Sequence, residues 1–393
     1  MVLHVVAIWV LNIVAGFIGF YLIHPMLLLF LRAIKAKKKQ SYPHNTFLPD
    51  YGIIVTAFEE VGMIPTAVES LLAMNYERLQ IYIVADNCKP TAALHFSDPR
   101  VTVLYPETVL ASNVASHRFA IDHFERNHDL ILIMDSDNLA DADLIQNLNN
   151  LFSAGFQAVQ GIRLAKNLDT TIARLDAARD IYYHYFDGEV MFDLGSSATL
   201  SGSGMAFSAS LYKRMLAGIN MQGAGFDKVL QAALVSEGYR IAFAKDAQVY
   251  DQKTAHTTQL VNQRARWIAT WFKYFSYGFK ILVLGIAKFN FNQVIFGITL
   301  LRPPLFIFLS ASVLLIIVNL FISTTVSLLL AGALVIYLIS FFIPILKKST
   351  DPRILSALLY IPVFVFYQFI SLGKSIFSQK ANVATKHNIE DKT

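Results

Sequence analysis

The chain has 393 residues, of which 55% are hydrophobic, and its formal net charge is +5. This hydrophobic content exceeds the roughly 45–50% of soluble domains, so we expect a globular domain joined to membrane segments. A single cysteine, Cys88, excludes an intrachain disulfide framework and a cysteine-based zinc cluster. Much of the basic excess lies beside apolar runs, which is typical of contact with membrane lipids and argues against a nucleic-acid surface.

The N-terminal segment, residues 1–34, is almost wholly apolar and is followed by a basic run at 35–39. It has neither a basic n-region nor a small-residue cleavage site, so we expect a retained transmembrane helix and no cleaved signal peptide. By the positive-inside rule, the N-terminus lies outside and the following domain lies in the cytoplasm. The predicted location is therefore a bacterial-type inner or plasma membrane.

Three more apolar runs follow the polar central region, at about 303–322, 326–346 and 354–372. Each approaches the roughly 20 residues that a spanning helix needs. The uncharged link at 323–325 is typical of an outer loop, and the basic link at 347–353 of an inner one. Four crossings would put the C-terminus outside, whereas the lysines of the tail favour the inside, so the crossing of the last run stays open.

The central region alternates predicted strands with predicted helices. Apolar, β-branched runs predict strands at 51–58, 80–85, 101–105 and 129–134. Thr66 and Glu69, next to Pro65, predict a capping box at a helix start, and a second helix is predicted at 113–125. This alternation predicts an α/β domain with a mainly parallel sheet, in which ligands bind beyond the carboxyl ends of the strands. Asp86 and Asp135 follow two of these strands directly.

The pair Asp135 and Asp137 follows the strand predicted at 129–134. Two carboxylates one residue apart can face Mg²⁺ or Mn²⁺, whose other ligands would be diphosphate oxygens and water. Such a cation offsets the charge that develops on a departing nucleoside diphosphate. A solvated surface loop is the alternative for so short a pattern, but the position after an apolar strand favours the metal site.

Asp227 opens a predicted amphipathic helix at 227–238, directly after Gly225 and Phe226. An aspartate at a helix start can be an N-cap that accepts backbone N–H bonds. It can also stay ionised in the field of the helix N-terminus and act as a general base toward a hydroxyl. The sequence alone favours the cap and leaves the base open.

Gln263, Arg266 and Trp267 lie at i, i+3 and i+4 on a predicted helix and therefore share one face. An amide, a guanidinium and an indole on one face suit the binding of a phosphate and the stacking of a sugar ring. A helix at the membrane interface, with Arg toward lipid phosphate and Trp in the aromatic belt, is an equal alternative on spacing alone.

Together these motifs resemble those of the membrane-bound, processive family 2 glycosyltransferases, which include cellulose, chitin, hyaluronan and poly-N-acetylglucosamine synthases. The resemblance covers about residues 51–275 and implies a GT-A fold, related to the Rossmann fold, with an N-terminal and about three C-terminal transmembrane helices. The Gln-x-x-Arg-Trp motif matches fully, whereas Phe58 and Phe226 replace the family's Asn and Glu. A small-residue segment at 201–207 is similar to the family's acceptor loop, where glycines allow close backbone approach.

The resemblance also implies roles for individual residues. Glu59, Asp86 and Asp135 would bind the nucleotide-sugar donor, a UDP-sugar, and Asp137 with Asp135 would hold Mg²⁺ or Mn²⁺. Asp227 would be the catalytic base of a single displacement with inversion. The diphosphate and the acceptor sugar would be bound by Gln263, Arg266 and Trp267. The implied activity is transfer of a hexosyl or N-acetylhexosaminyl group to a growing polysaccharide or a membrane-associated acceptor.

The implied organisation is a transmembrane helix at 1–34, a glycosyltransferase domain at 42–267, interfacial amphipathic helices at 268–302, transmembrane helices at 303–376 and a tail at 377–393. One alternative is an enzyme that adds one sugar to a lipid carrier. Another is an inactive family member that serves as a membrane assembly subunit, which the replacement of the family's Glu by Phe226 suggests. The expected partners are the donor, a glycan or lipid-linked acceptor and membrane lipids, while a homo-oligomer is left open.

Overall fold

The computed structural model describes residues 2–35, 48–91, 94–221, 223–254, 257–349 and 351–377. The lysines at 37–39, on which the predicted orientation partly rests, lie outside these residues, as do those of the tail at 380, 386 and 392.

The α/β domain is built on one sheet of eight strands in the order β3-β2-β1-β4-β7-β6-β8-β5. The pairs among β1 to β4 are parallel, and β6 is also parallel to β8, whereas β7 and β5 pair antiparallel with their neighbours. The predicted mainly parallel sheet is therefore confirmed, with antiparallel additions. The strands are β1 (Tyr51–Phe58), β2 (Leu79–Asp86), β3 (Val101–Leu104), β4 (Leu130–Asp135), β5 (Leu139–Ala140), β6 (Ala158–Ala165), β7 (Met205–Ser208) and β8 (Ile241–Asp251).

The pairing register brings two predicted site residues to one edge of the sheet. Phe58 at the end of β1 pairs with Asp86 of β2, and Thr56 of β1 pairs with Asp135 of β4. The chain leaves β1 toward β2 on one side and returns to β4 on the other, so the strand order reverses beside β1. Such a switch point, at the carboxyl ends of parallel strands, is where open α/β sheets bind ligands.

The helices of the α/β domain begin and end near the predicted positions, but the capping box predicted at Thr66 and Glu69 is wrong. The helix begins earlier, at Ile64, with Pro65 in its first turn, and its N-cap residue Met63 forms no side-chain cap bond. Proline suits the first turn because the missing N–H has no intrahelical partner there. The helices up to the site are α1 (Val2–Ile34), α2 (Ile64–Leu72), α3 (Asn113–Asp122), α4 (Leu144–Ser153), α5 (Thr171–Tyr183), α6 (Met191–Asp193), α7 (Ala209–Gly218), α8 (Phe226–Ser236) and α9 (Thr257–Tyr274).

Three helices among the described residues are long and apolar enough to cross a membrane, namely α1, α12 (Leu305–Ile322) and α13 (Thr324–Lys348). The shorter apolar helices α10 (Ser276–Ala287) and α11 (Phe291–Leu301) precede α12, and α13 is followed by α14 (Pro352–Ala357), a 3₁₀ turn (Leu358–Tyr360) and α15 (Ile361–Phe377). Two helical segments in the α14–α15 region are bent by 54° relative to each other. They make a fourth membrane span only if the bent pair is taken as one span. Lys374 near its end bonds Asn262 of α9 at 3.2 Å, so the pair returns to the domain.

A π-helix (His184–Val190) continues from α5 and connects the domain to the membrane helices. Its Glu189 forms ion pairs with Arg32 at the end of α1, at 2.9 Å, and with Lys348 at the end of α13, at 2.8 Å. Its Asp187 forms a buried bidentate pair with Arg302, which lies between α11 and α12, at 3.0 and 2.5 Å. Each of the three spanning helices has one end near a basic residue: Arg32 for α1, Arg302 for α12 and Lys348 for α13. Through these residues, each of those ends contacts the α/β domain.

Candidate active site

A cavity of about 870 Å³ opens at the carboxyl ends of β1, β2 and β4. Seven of the eight predicted site residues line it, contributed by β2, β4, α8, α9 and the loop after β4. Those seven are Asp86, Asp135, Asp137, Asp227, Gln263, Arg266 and Trp267. The eighth, Glu59, is outside the lining, and its neighbour Glu60 is in it.

The side chains of Asp86 and Glu59 hold the loops along one wall of the cavity. The Asp86 carboxylate is buried and accepts the N–H groups of Leu110 and Ala111, at 2.9 and 2.7 Å. These bonds hold Ala111 at φ 45°, in a left-handed conformation that a non-glycine residue rarely adopts. Glu59 is also left-handed, at φ 63°, and its carboxylate accepts a bond from the Asn87 amide at 3.0 Å. Glu59 therefore supports the loop beside the cavity.

Asp135 ends β4 and lies beside the small-residue segment at 201–207. Its N–H donates to the Ser203 hydroxyl at 3.0 Å, and a Cβ placed on Gly202 would lie 4.0 Å from its Oδ2 atom. Burial, and next the charge of Asp137, raise the pKa of Asp135, while the Arg163 guanidinium opposes this shift. Two like charges at a desolvated strand end repel each other, and a divalent cation would relieve that repulsion.

The residues present fit a cation that is shared with the substrate. Among the described residues, no three His, Cys, Asp or Glu side chains converge as a complete set of metal ligands. Asp135 and Asp137 would thus supply two protein carboxylates, as expected for Mg²⁺ or Mn²⁺ that is completed by diphosphate and water.

Asp227 does not cap its helix, so the N-cap interpretation is wrong. The helix begins at Phe226, the N-cap residue is Gly225 at φ 99°, and Asp227 lies in the first turn. Its carboxylate lines the cavity and pairs with Lys228 at 3.1 Å, with 22% of the side chain exposed. A partly exposed carboxylate in the first turn of a helix can accept a proton from a bound hydroxyl.

Gly225 sets the distance between Asp227 on α8 and the motif on α9. A Cβ at this position would lie 2.6 Å from Cε2 of Tyr274 and 2.7 Å from Cγ2 of Thr270, both in α9. Its positive φ also disfavours an L side chain. Glycine is therefore required here for two independent reasons.

Gln263, Arg266 and Trp267 face the cavity together, as their spacing predicts. Burial lowers the pKa of Arg266. The Trp267 side chain is 42% exposed, and the guanidiniums of Arg179 and Arg264 lie over its ring, at 4.4 and 4.3 Å from the centroid. Contacts of this kind are worth about 0.5–2 kcal/mol each and fix the orientation of the indole.

A chain of buried ion pairs, not foreseen from the sequence, forms the wall behind this motif. It alternates four basic and three acidic side chains from β6, α5, α9 and the segment at the end of β8. In order of contact they are Arg163, Asp251, Lys253, Asp180, Arg179, Asp176 and Arg264.

The ion pairs lower the pKa of two of the three carboxyl groups despite burial, whereas burial raises the pKa of the third, Asp176, to about 6. Burial alone would raise the pKa of Asp180, but Arg179 and Lys253 lower it below the usual value. Arg163 and Lys253 likewise outweigh burial and lower the pKa of Asp251. One sequence signal was available: Asp176, Arg179 and Asp180 lie three and four residues apart on one helix.

Asp187 and Asp193, two further acidic residues that the sequence offers as a base, form ion pairs elsewhere. Asp187 is held by Arg302, and Asp193 pairs with Arg32 at 2.5 Å. Asp193 is also outside the cavity lining. Among these three acids, Asp227 is the one with a partly exposed carboxylate in the cavity.

We predict that Gly225→Ala lowers the melting temperature of the purified protein, because Ala is strained at positive φ and its Cβ meets α9. Replacing glycine where φ is positive destabilises by more than about 1 kcal/mol. Gly218→Ala is the matched control, since nothing lies within 4 Å of a Cβ there. Equal melting temperatures for the two variants would show that Gly225 does not set the distance between α8 and α9.

Comparison with solved structures shows a shared fold. Mannosyltransferase PcManGT from Pyrobaculum calidifontis, solved with GDP-Man and Mn²⁺, matches with a TM-score of 0.61 and 14% identity, covering 94% of this chain and 100% of that chain. TarS from S. aureus, as residues 1–349 with UDP, matches at a TM-score of 0.40 and 13% identity, covering 59% of this chain and 65% of that one. The match to PcManGT confirms the predicted GT-A-like fold.

No curated protein sequence matches the chain. The profile of a protein family described as glycosyltransferase like family 2 matches residues 49–270, which is more than half of the chain. Together with the cavity and its motifs, this match shows that the chain is an enzyme and belongs to glycosyltransferase family 2.

Proposed function

We propose that the enzyme transfers a sugar, with inversion, from a nucleoside diphosphate sugar to a hydroxyl of a glycan or membrane-associated acceptor. The observation that carries this proposal is the single cavity that gathers the Asp135–Asp137 pair, Asp227 and the Gln263-to-Trp267 face. Each group has a role in such a transfer, and no other described cavity contains them. PcManGT, which shares the fold, is an example of a mannosyltransferase solved with a nucleoside diphosphate sugar.

In the proposed reaction, Asp227 removes the proton from the acceptor hydroxyl. The oxygen attacks the anomeric carbon from the side opposite the diphosphate, and the bond from that carbon to the diphosphate oxygen breaks. Lys228 pairs, at 3.1 Å, with the Asp227 carboxylate that accepts this proton.

Asp137, aided by Asp135, would hold Mg²⁺ or Mn²⁺. When bound, such a cation stabilises the charge on the leaving diphosphate. Gln263 and Arg266 would bind the diphosphate, and Trp267 would contact the acceptor sugar. The ion-pair chain behind them orients this face before the substrate binds, which reduces the cost of organising it during the reaction.

The domain is proposed to be cytoplasmic, where activated sugars are made. The ends of α1 and α13 at the domain carry Arg32, Lys347 and Lys348, in accord with the positive-inside rule. The short turn between α12 and α13 would then lie outside, and the end of α15 inside, because Lys374 near that end contacts α9.

Cysteine labelling of intact cells tests this orientation. With Cys88 replaced, Thr324→Cys at the start of α13 should react with an impermeant maleimide, and Ala142→Cys after β5 should react only once the cells are permeabilised. Labelling of Ala142→Cys in intact cells would reverse the orientation.

Asp137→Ala should abolish the metal-dependent part of donor affinity, because one carboxylate ligand is lost. Calorimetric titration of UDP- and GDP-sugars, with and without Mn²⁺, measures this effect. Asp143→Ala is the control, since Asp143 lies shortly after Asp137 in the chain, beyond β5, and is outside the cavity lining. Donor affinity that still rises with Mn²⁺ in Asp137→Ala would contradict the assignment.

Asp227→Asn should lower the rate of sugar transfer by about 10²–10⁴-fold, because asparagine cannot accept the proton. The melting temperature should change little, since the pair with Lys228 is partly exposed and worth about 0–1 kcal/mol. Asp246→Asn is a matched control: it removes a pair with the preceding residue, Lys245, 3.2 Å long, and both residues are outside the cavity lining. Transfer by Asp227→Asn at near the parental rate would exclude Asp227 as the base.

A further inference from the structure

The cavity does not end at the α/β domain. Beyond Trp271 and Arg302 its lining continues with side chains of α12, α13 and the α14–α15 pair. Phe306 and Leu309 come from α12, and Phe341 comes from α13. The reaction site and a space between apolar helices are therefore parts of one cavity.

The chemistry of the lining changes along the cavity. In the α/β domain it includes many carboxylates and guanidiniums, whereas the lining side chains that follow Arg302 in the sequence are apolar apart from Tyr337 and Gln368. Leu338, 45% exposed, and the half-buried Ile361 and Val365 belong to this apolar end. Their incomplete burial leaves apolar surface that a ligand could cover.

The Asp187–Arg302 pair joins the π-helix to the segment before α12, and both residues line the cavity. The two terminal guanidinium nitrogens each donate to one carboxylate oxygen, so the pair contributes no net charge to the cavity. A bidentate pair of this kind is already satisfied and has little capacity to draw a charged ligand deeper.

A sugar polymer does not suit this apolar end. Each buried hydroxyl without a hydrogen-bond partner costs about 1–3 kcal/mol, and Tyr337 and Gln368 could serve very few of them. A hydrocarbon chain has no such requirement, and covering apolar surface contributes about 25 cal/mol per Å².

We infer that the acceptor is a lipid whose hydrocarbon chain lies in the apolar end of the cavity and whose nucleophilic oxygen reaches Asp227. This inference rests on the proposed function and narrows its acceptor to one class. The chain would enter from the bilayer, because α12 and α13, which line this end, are long and apolar enough to span it. The product is then a glycolipid that carries one added sugar.

Membranes containing the full-length enzyme, incubated with radiolabelled UDP- and GDP-sugars, provide the test. The label should partition into chloroform–methanol as a single lipid product. Leu309→Trp, which fills the apolar end, should lower this label by at least about tenfold. Leu314→Trp is the control, because Leu314 is on the same helix, 61% exposed and outside the cavity lining.

A second pair of variants guards against misfolding. Val365→Trp fills the cavity from α15, and Phe366→Trp, at a 63% exposed neighbour, is its control. A photoreactive long-chain alcohol should cross-link to peptides of α12, α13 or α15 in the parental enzyme and less in Val365→Trp. Monodisperse elution of each variant from a sizing column confirms folding.

The outcomes separate this inference from the proposed function. Release of nucleoside diphosphate together with label that stays in the aqueous phase, or that forms a ladder of polymer lengths, would overturn the lipid acceptor and leave sugar transfer intact. Lipid product that is unaffected by both cavity-filling variants would overturn the placement of the chain. No release of nucleoside diphosphate from any donor would instead count against the proposed function.

Discussion

The alternating ion pairs from Arg163 to Arg264 connect parts of the site that are distant in sequence. They join β6, the segment at the end of β8, α5 and α9, the helix that carries the Gln-x-x-Arg-Trp motif. Buried ion pairs often add little net stability compared with apolar side chains of the same volume. Removing one partner nevertheless leaves a buried charge that costs about 3–5 kcal/mol. The ion pairs therefore fix the relative positions of these elements more than they increase the stability of the protein. The guanidiniums of Arg179 and Arg264, which take part in these pairs, orient the Trp267 ring.

The π-helix His184–Val190 connects this site to the membrane helices. Asp187 and His184 line the cavity, while Glu189 on the same short segment contacts the ends of α1 and α13. The wider turn of a π-helix displaces side chains from α-helical positions, and such segments are frequent at functional sites. Shifts of the membrane helices would thus reach the cavity through only a few residues of backbone.

The sequence predicted those features that depend on local pattern. Asp86 and Asp135 follow apolar runs, and parallel pairing necessarily brings such residues to one edge of the sheet. Helical spacing likewise predicted a shared face for Gln263, Arg266 and Trp267. Local rules failed to predict the N-terminal residues of two helices. The helix α2 begins at Ile64, with Pro65 in its first turn, and Gly225, not Asp227, is the N-cap residue of α8.

Tertiary features could not be predicted in this way. Arg163 and Asp251 are 88 residues apart, as are Asp176 and Arg264. The sequence around each residue does not identify the residue with which it pairs. The same applies to the cavity between the membrane helices, because hydropathy reports that α12 and α13 are apolar but not which of their faces is left uncovered.

Phe226 raised the alternative of an inactive member, and its surroundings argue against that alternative. The ring is buried and lies edge-on to His117, with centroids 5.2 Å apart. Burial lowers the pKa of His117 to about 3, so this neighbour is neutral, and its Nδ1 atom bonds the Tyr212 hydroxyl. A glutamate at position 226 would bury a charge against a neutral imidazole, at a cost that phenylalanine avoids. The change from the family pattern therefore suits the interior of this chain, while Asp227 keeps its carboxylate in the cavity.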